Sequence, residues 1–159
     1  KPRSIKLMVS KHISDKEATF SQTATRLGIS NAPTEEHLEN MKSTAENVFE
    51  PLREWCGHPI RINSFYRSVE LNKAIGGSSS RSQHLQGKAI DIDSLGKKTN
   101  AELFYYIKDN LDFDQLIWEF GSDEEPDWIH LSYNGKDNRK QILKAYKDKN
   151  GKSAYITFI

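Results

Sequence analysis

The sequence has little cysteine, almost no excess charge and no long apolar run. Cys56 is its only cysteine, which excludes an intrachain disulfide and a cysteine-rich zinc finger. The 23 Lys and Arg residues are balanced by 22 Asp and Glu residues, so no overall field attracts nucleic acid or an anionic membrane. No stretch approaches the roughly 18 apolar residues of a membrane span. Any partner must therefore be recognised by a local site.

Helical signals dominate the first part of the chain. Ser14 begins a capping box for a short helix that Gly28 ends. Thr34 begins a longer helix, in which apolar residues recur at steps of three and four as on a buried helical face. Because proline cannot continue an α-helix without loss of a hydrogen bond, Pro51 predicts a kink or an end just before it.

Strand signals dominate the later part of the chain. PIRINSFYR, KAIDID, DQLIWEF and WIHLSY have the apolar content or the alternation of strands, and AYITFI predicts a late edge strand. A second capping box, Thr99 with Glu102, begins a helix between KAIDID and DQLIWEF. Helices that come first and strands that come later predict an α+β fold with a mainly antiparallel sheet.

Two of these strands place metal-binding side chains on the face opposite their apolar residues. In KAIDID the period of two separates Asp91 from the isoleucines, and in WIHLSY it separates His130 from Ile129 and Leu131. If the two strands are near neighbours, Asp91 and His130 can converge, and His84 can reach them from the loop that Gly87 turns. Two histidines and one carboxylate are typical of a catalytic zinc site, in which three protein ligands leave a fourth position for water. Zinc is the expected metal.

Metal-assisted hydrolysis also needs a group that takes a proton from water and returns it to the leaving amine. Asp127 lies three residues before His130 in DWIH, and we interpret it as this acid/base. The acidic turn GSDEEPD lacks the spacing of a calcium loop and is interpreted as a solvated turn.

The segment SQHLQGKAID fits the pattern Ser-x-His-x-x-Gly-x-Ala-x-Asp. Together with DWIH and SFYRS it resembles the zinc D-Ala-D-Ala carboxypeptidase family, which includes VanY- and VanX-like peptidases and phage cell-wall endopeptidases. The resemblance covers about half the chain, from PIRINSFYRS to WIHLSY. It implies a hedgehog/DD-peptidase-like fold with helices packed on one side of the sheet. It also implies one zinc peptidase domain over residues 1–159, with a helical part at about 1–57 and a catalytic core at about 58–159.

The resemblance assigns roles to individual residues. Asp127 matches the catalytic acid/base, although family members often carry Glu there, so Glu119 is the substitute candidate. Arg67 matches the arginine beside the substrate and the developing oxyanion, and Ser82 matches the serine that opens the motif and contacts substrate. The matching zinc ligands are His84, Asp91 and His130.

We therefore expect a zinc metallopeptidase with Zn²⁺ as its cofactor, acting on peptide bonds of the peptidoglycan stem as a D,D-carboxypeptidase or a lysin-type endopeptidase. One alternative is a non-catalytic, metal-stabilised module that binds the cell wall or a peptide. Another is a dipeptidase that cleaves free D-Ala-D-Ala. We expect a monomer that binds no nucleic acid, spans no membrane and acts on the bacterial cell wall, whether in the periplasm, outside the cell or delivered by a phage.

Overall fold

The computed structural model describes residues 7–76 and 79–159. The first elements are β1 (Met8–Ser10), β2 (Ile13–Ser14), α1 (Asp15–Thr19) and α2 (Gln22–Leu27). The predicted capping box at Ser14 is present, but the single helix predicted from Ser14 to Gly28 is divided in two. The division arises because Phe20 is extended, and Ser21 caps a new helix by accepting a hydrogen bond from the Ala24 N–H at 3.1 Å.

The next helical stretch is continuous from residue 35 to residue 56. It consists of α3 (Glu35–Thr44), a π-helical turn (Ala45–Phe49) and α4 (Glu50–Cys56). The helix does not end at Pro51 as one form of the prediction had it, but its α-helical hydrogen bonding is interrupted just before this residue. Pro51 lies in the first turn of α4, directly after the π-helical turn, where the Glu50 N–H donates to the Ala45 carbonyl five residues back. The wider turn absorbs the backbone change that a proline imposes, so the helix continues.

The remaining elements form a six-stranded sheet with three short helical segments. The strands are β3 (Ile60–Ser64), β4 (Ala89–Ser94), β5 (Gln115–Glu119), β6 (Trp128–Ser132), β7 (Gln141–Lys147) and β8 (Ser153–Thr157). The helical segments are α5 (Val69–Ile75), a 3-10 turn (Gln83–Gln86) and α6 (Asn100–Asn110). The strand order is β3-β4-β6-β5-β7-β8, and β8 is the predicted edge strand.

The sheet is mixed. Its neighbouring strands run antiparallel except β5 and β7, which run parallel. The parallel pair was not predicted. β6 returns antiparallel beside one edge of β5. The short connection after Ser132 then leads β7 onto the other edge of β5, antiparallel to β6 and therefore parallel to β5. Within residues 7–76 and 79–159, every helix is too short or too polar to cross a bilayer.

One hydrophobic core covers one face of the sheet. Leu103, Phe104 and Ile107 of α6 are fully buried and belong to the same cluster as strand and N-terminal helix residues. The strand members include Ile90, Ile92, Ile129 and Leu131. Because side chains alternate along a strand, the residues between these isoleucines and leucines project from the opposite face. That opposite face carries the polar side chains considered next.

Candidate active site

The register of β4 and β6 places Asp91 directly opposite His130. The His130 Nδ1 atom lies 3.0 Å from Asp91 Oδ1. Each side chain lies between two fully buried isoleucine or leucine residues, so both share the face that does not pack into the core. The convergence of these two predicted ligands therefore follows from the strand pairing itself.

His84 reaches the same point from the 3-10 turn. Gly87 ends that turn with a φ of +75°, and a Cβ there would lie 2.6 Å from Met41 Cγ and 2.7 Å from the His37 carbonyl oxygen. Glycine is therefore required both for the backbone conformation and for the close approach to α3. At the start of the turn, the Ser82 hydroxyl accepts a hydrogen bond from the His84 N–H at 3.2 Å.

The hydrogen bonds of His84 define its tautomer. Its Nδ1 lies 2.7 Å from the Phe65 carbonyl oxygen, which only accepts, so Nδ1 carries the proton. The lone pair is then on Nε2, a buried atom that makes no hydrogen bond to the described residues and lies 3.2 Å from Asp91 Oδ2. Burial also lowers the pKa of His84, which keeps the ring neutral. A nitrogen lone pair and a carboxylate oxygen thus face each other without a proton between them.

A metal ion would satisfy all three groups. One ligand atom from each of His84, Asp91 and His130 lies within 4.8 Å of the others. Burial alone would raise the pKa of Asp91, but the two neighbouring histidines outweigh it and hold that pKa well below its ordinary value. An ionised carboxylate beside two imidazoles, one of them held by a backbone carbonyl, is a donor set that suits a divalent cation.

A cavity of about 480 Å³ opens beside this cluster. Both predicted substrate-binding residues line it: Arg67, from the segment after β3, and Ser82. The Arg67 Nη2 is 3.4 Å from Ser82 Oγ, while Arg67 Nε is buried without a hydrogen-bond partner among the described residues. Other charged or aromatic lining residues are Arg81, Glu119, Phe120, Trp128, Arg139 and Tyr155.

The two candidate acids occupy different positions. Glu119, at the end of β5, lies opposite Trp128, lines the cavity and is only 7% exposed. Burial raises the pKa of Glu119 to about 7; the charge of Asp91 acts in the same direction and His130 opposes it. Asp127 is exposed and lies outside the set of residues that line the cavity. Asp127 ends the acidic turn just before β6, whose first residue, Trp128, lines the cavity.

One wall of the cavity was not predicted from the sequence. It comes from the segment after β6 and contains Arg139, Leu143, Ser153 and Tyr155. The signal available was the alternation of residues along each strand, which places Leu143 on one face of β7 and puts Ser153 and Tyr155 together on one face of β8. Alternation does not show which strands β7 and β8 pair with, so it could not place these residues beside Glu119.

A family model described as Peptidase M15 matches residues 11–132. The matched segment contains His84, Asp91 and His130 as well as Glu119, and it ends at the last residue of β6. The wall formed by Arg139, Leu143, Ser153 and Tyr155 lies beyond it. No curated protein is similar enough to the chain to count as a match.

Proposed function

The chain belongs to the Peptidase M15 family of metal-dependent peptidases, and we propose that it is a zinc enzyme that hydrolyses peptide bonds of the peptidoglycan stem. The observation that carries this proposal is the unpartnered, buried Nε2 of His84, which faces Asp91 Oδ2 at 3.2 Å beside His130. This arrangement borders an open cavity, where a bound metal would meet a substrate. The proposal includes a DD-peptidase-like fold, with residues 1–159 forming one domain.

The donor set supports zinc as the metal. Two imidazole nitrogens and one carboxylate oxygen are ligands that zinc accepts, and three protein ligands leave a position for a reactant. When bound, zinc would polarise the scissile carbonyl and lower the pKa of a water molecule toward neutrality. The chain's own contribution is to hold His84 as the Nδ1-protonated tautomer through the Phe65 carbonyl.

We assign the acid/base role to Glu119. Its position on the cavity wall and its pKa of about 7 in the metal-free chain suit a group that must both accept and donate a proton near neutral pH. Glu119 takes a proton from the attacking water, whose oxygen bonds to the carbonyl carbon. It then returns the proton to the amine as the carbon–nitrogen bond breaks. Asp127 is the competing candidate, and its exposed position outside the cavity lining argues against it.

Arg67 and Ser82 are proposed to bind the substrate. The guanidinium of Arg67 borders the cavity and makes one side-chain hydrogen bond to the described residues, from Nη2 to Ser82 Oγ, so further N–H donors remain for a substrate. A charged donor at this place would stabilise the oxygen of the scissile carbonyl as negative charge develops on it. Ser82 supports the site from a second direction, because its hydroxyl contacts both the Arg67 guanidinium and the backbone of His84.

The test is digestion of purified peptidoglycan and of a defined stem pentapeptide, with the products identified by mass spectrometry. A chelated sample and a chelated sample restored with zinc are run beside the untreated enzyme. Loss of a terminal alanine would identify a carboxypeptidase, and cleavage within the stem or a cross-link would identify an endopeptidase. The absence of any product from protein that holds one zinc ion would refute the proposal and favour a metal-stabilised binding module.

A further inference from the structure

The wall that lies beyond the family-matched segment borders the proposed acid/base. β7 pairs with β5, and β8 pairs with β7, in a register that sets Glu119, Ala145 and Tyr155 in one row across the sheet. Tyr155 lines the cavity, and burial together with the charges of Glu119 and Asp91 raises its pKa. Residues 133–159 therefore shape the substrate cavity close to the reacting groups.

Arg139 is the cationic residue of this wall, and a buried acid holds it in place. The Asp114 carboxylate, whose side chain is 2% exposed, accepts hydrogen bonds from Arg139 Nη2 at 2.8 Å and from Arg139 Nε at 3.1 Å. It also accepts one from the Arg139 backbone N–H at 2.9 Å. Hydrogen bonds from Arg139 and Gln83 outweigh the effect of burial and lower the pKa of Asp114, so the acid is ionised.

Asp114 engages only one edge of the Arg139 guanidinium. The hydrogen bonds to Asp114 use Nε and Nη2, so Nη1 keeps its donors for another group. The Arg139 side chain is 55% exposed and lines the cavity. A guanidinium that is bonded to Asp114 through Nε and Nη2, more than half exposed and part of the cavity lining can bind a second group without releasing Asp114.

The charges around the cavity favour an anionic ligand. Arg67 and Arg81 line it together with Arg139, and a divalent metal at the candidate centre would add further positive charge. Asp91 would be engaged by that metal. A planar guanidinium with a free edge matches the geometry of a carboxylate, with which it forms charge-assisted hydrogen bonds.

We propose that Arg139 determines specificity by binding a carboxylate that the peptide substrate carries apart from its scissile carbonyl, and that Asp114 positions Arg139 for this contact. This inference rests on the proposed peptidase function and specifies its substrate class as peptides with a free carboxylate near the cleaved bond. The carboxylate belongs either to an acidic side chain or to the peptide's carboxyl terminus.

Arg139 is the residue to substitute in a test. Asp114 is less suitable, because it also accepts a hydrogen bond at 2.9 Å from Gln83, the residue before His84, and its loss would disturb the metal-binding turn. The variants are Arg139→Gln, which removes the charge, and Arg139→Lys, which keeps it. Arg26→Gln makes the same charge change on the exposed surface of α2, outside the residues that line this cavity, and serves as the matched control.

The substrates are a cleavable peptide, its analogue with the side-chain carboxylate amidated and its analogue with the C-terminus amidated. We expect the zinc-loaded wild type to prefer the free acid over one of the two amides by roughly 10- to 100-fold in kcat/KM, mostly through KM. Arg139→Gln should lose that factor in kcat/KM on the free acid and should retain its zinc. On the amide that the wild type cleaves less well, its kcat/KM should stay within about twofold of the wild-type value. Arg139→Lys should recover part of the loss on the free acid. The amide that matters identifies the source of the carboxylate.

An equal loss of kcat/KM on all three peptides, or no loss, would overturn the assignment of Arg139.

Calorimetry repeats the comparison without turnover. It measures the binding of the same peptides to Glu119→Gln and to the double variant Glu119→Gln/Arg139→Gln. A preference for binding the carboxylate that disappears when Arg139 is replaced supports the inference, even if the wild type cleaves none of the peptides. A wild type that cleaves none of them would refute only the peptidase function. Equal affinity for the acid and both amides would reject the inference independently of catalysis.

Discussion

Asp91 and His130 lie directly opposite each other on β4 and β6, with 3.0 Å between Asp91 Oδ1 and His130 Nδ1. Their separation is maintained by the backbone hydrogen bonds of two central strands, so these two side chains are pre-arranged without a metal. His84 is different, because it projects from a 3-10 turn that Gly87 closes. The proposed metal centre thus combines a pair held by strand pairing with one ligand whose position depends on a turn.

Removal of any of the three ligands should abolish tight zinc binding. His84→Ala, Asp91→Ala and His130→Ala each delete one of the clustered ligand atoms. The loss of affinity should exceed the roughly 10- to 100-fold cost of losing a group that only supports a ligand. Zinc competition against a chromophoric chelator measures it, with His37→Ala in α3 as a histidine control. Wild-type affinity in all three variants would show that the metal binds elsewhere.

Substitution of the proposed acid/base should slow turnover strongly without releasing zinc. Glu119→Gln keeps the size of the side chain but cannot take up a proton, and we expect kcat to fall by about 10²- to 10⁴-fold. Asp127→Asn, at an exposed position, should leave kcat within a few-fold of wild type. Initial rates are compared at one measured zinc equivalent per chain. The reverse pattern would give the role to Asp127, as the sequence motif predicts.

The buried carboxyl of Glu119 should also make the free energy of unfolding of the metal-free protein depend on pH. Its pKa is raised from 4.5 in the unfolded chain to about 7 in the folded one. A raised pKa gives a contribution to stability that is present below pH 4.5 and is lost as the pH rises through 7. The free energy of unfolding of Glu119→Gln, relative to that of the wild type, should therefore rise by about 2 to 3 kcal/mol between pH 4 and pH 8. Urea unfolding in a chelator measures this difference.

Two controls bear on that stability difference. Glu124→Gln removes a carboxylate from the exposed acidic turn and accounts for general charge effects. Zinc bound next to Glu119 would favour the carboxylate form, so the pH-dependent gain should shrink in the loaded protein. A gain that is the same at both pH values would show that Glu119 is not desolvated as the structure has it.

Gly87 should be less tolerant of alanine than another glycine with a similar backbone conformation. Gly87 and Gly135 have φ values of +75° and +80°, but only at Gly87 would a Cβ meet neighbouring atoms, at 2.6 Å from Met41 Cγ. Gly135→Ala should cost about 1 kcal/mol of unfolding free energy. Gly87→Ala should cost at least about 1 kcal/mol more, because the turn must also move. It should weaken zinc binding as well, and equal effects on stability and zinc affinity in the two variants would contradict this role of the turn.

The three candidate ligands could be identified from the sequence because short-range patterns place them. Alternation in KAIDID and WIHLSY separates Asp91 and His130 from the isoleucines, and the strand pairing then sets the two opposite each other. The histidine of the turn needed the motif spacing, because a polar loop gives no direction to a side chain. The starts of the helices at Ser14 and Thr99 were likewise predictable from capping boxes, which are local signals, although they did not show that the first helix ends at Thr19.

Features that depend on long-range pairing were not predictable in this way. Glu119 faces the cavity because β5 pairs with β6 in a register that sets it opposite Trp128, and the spacing of DWIH does not contain that information. Arg139 and Tyr155 reach the cavity through the parallel β5–β7 pair, which a sequence of strands along the chain does not reveal. The proline signal at Pro51 likewise did not reveal the π-helical turn that precedes it, through which the helix continues.

The most direct test of the account is a titration of zinc into fully chelated enzyme while cleavage of a stem peptide is followed. If His84, Asp91 and His130 hold the one ion on which hydrolysis depends, activity should be absent at the start, rise linearly and reach a plateau at one equivalent per chain. His84→Ala should stay inactive at that same equivalent. Cleavage that persists in the chelated enzyme, or that is unchanged in His84→Ala, would contradict the account.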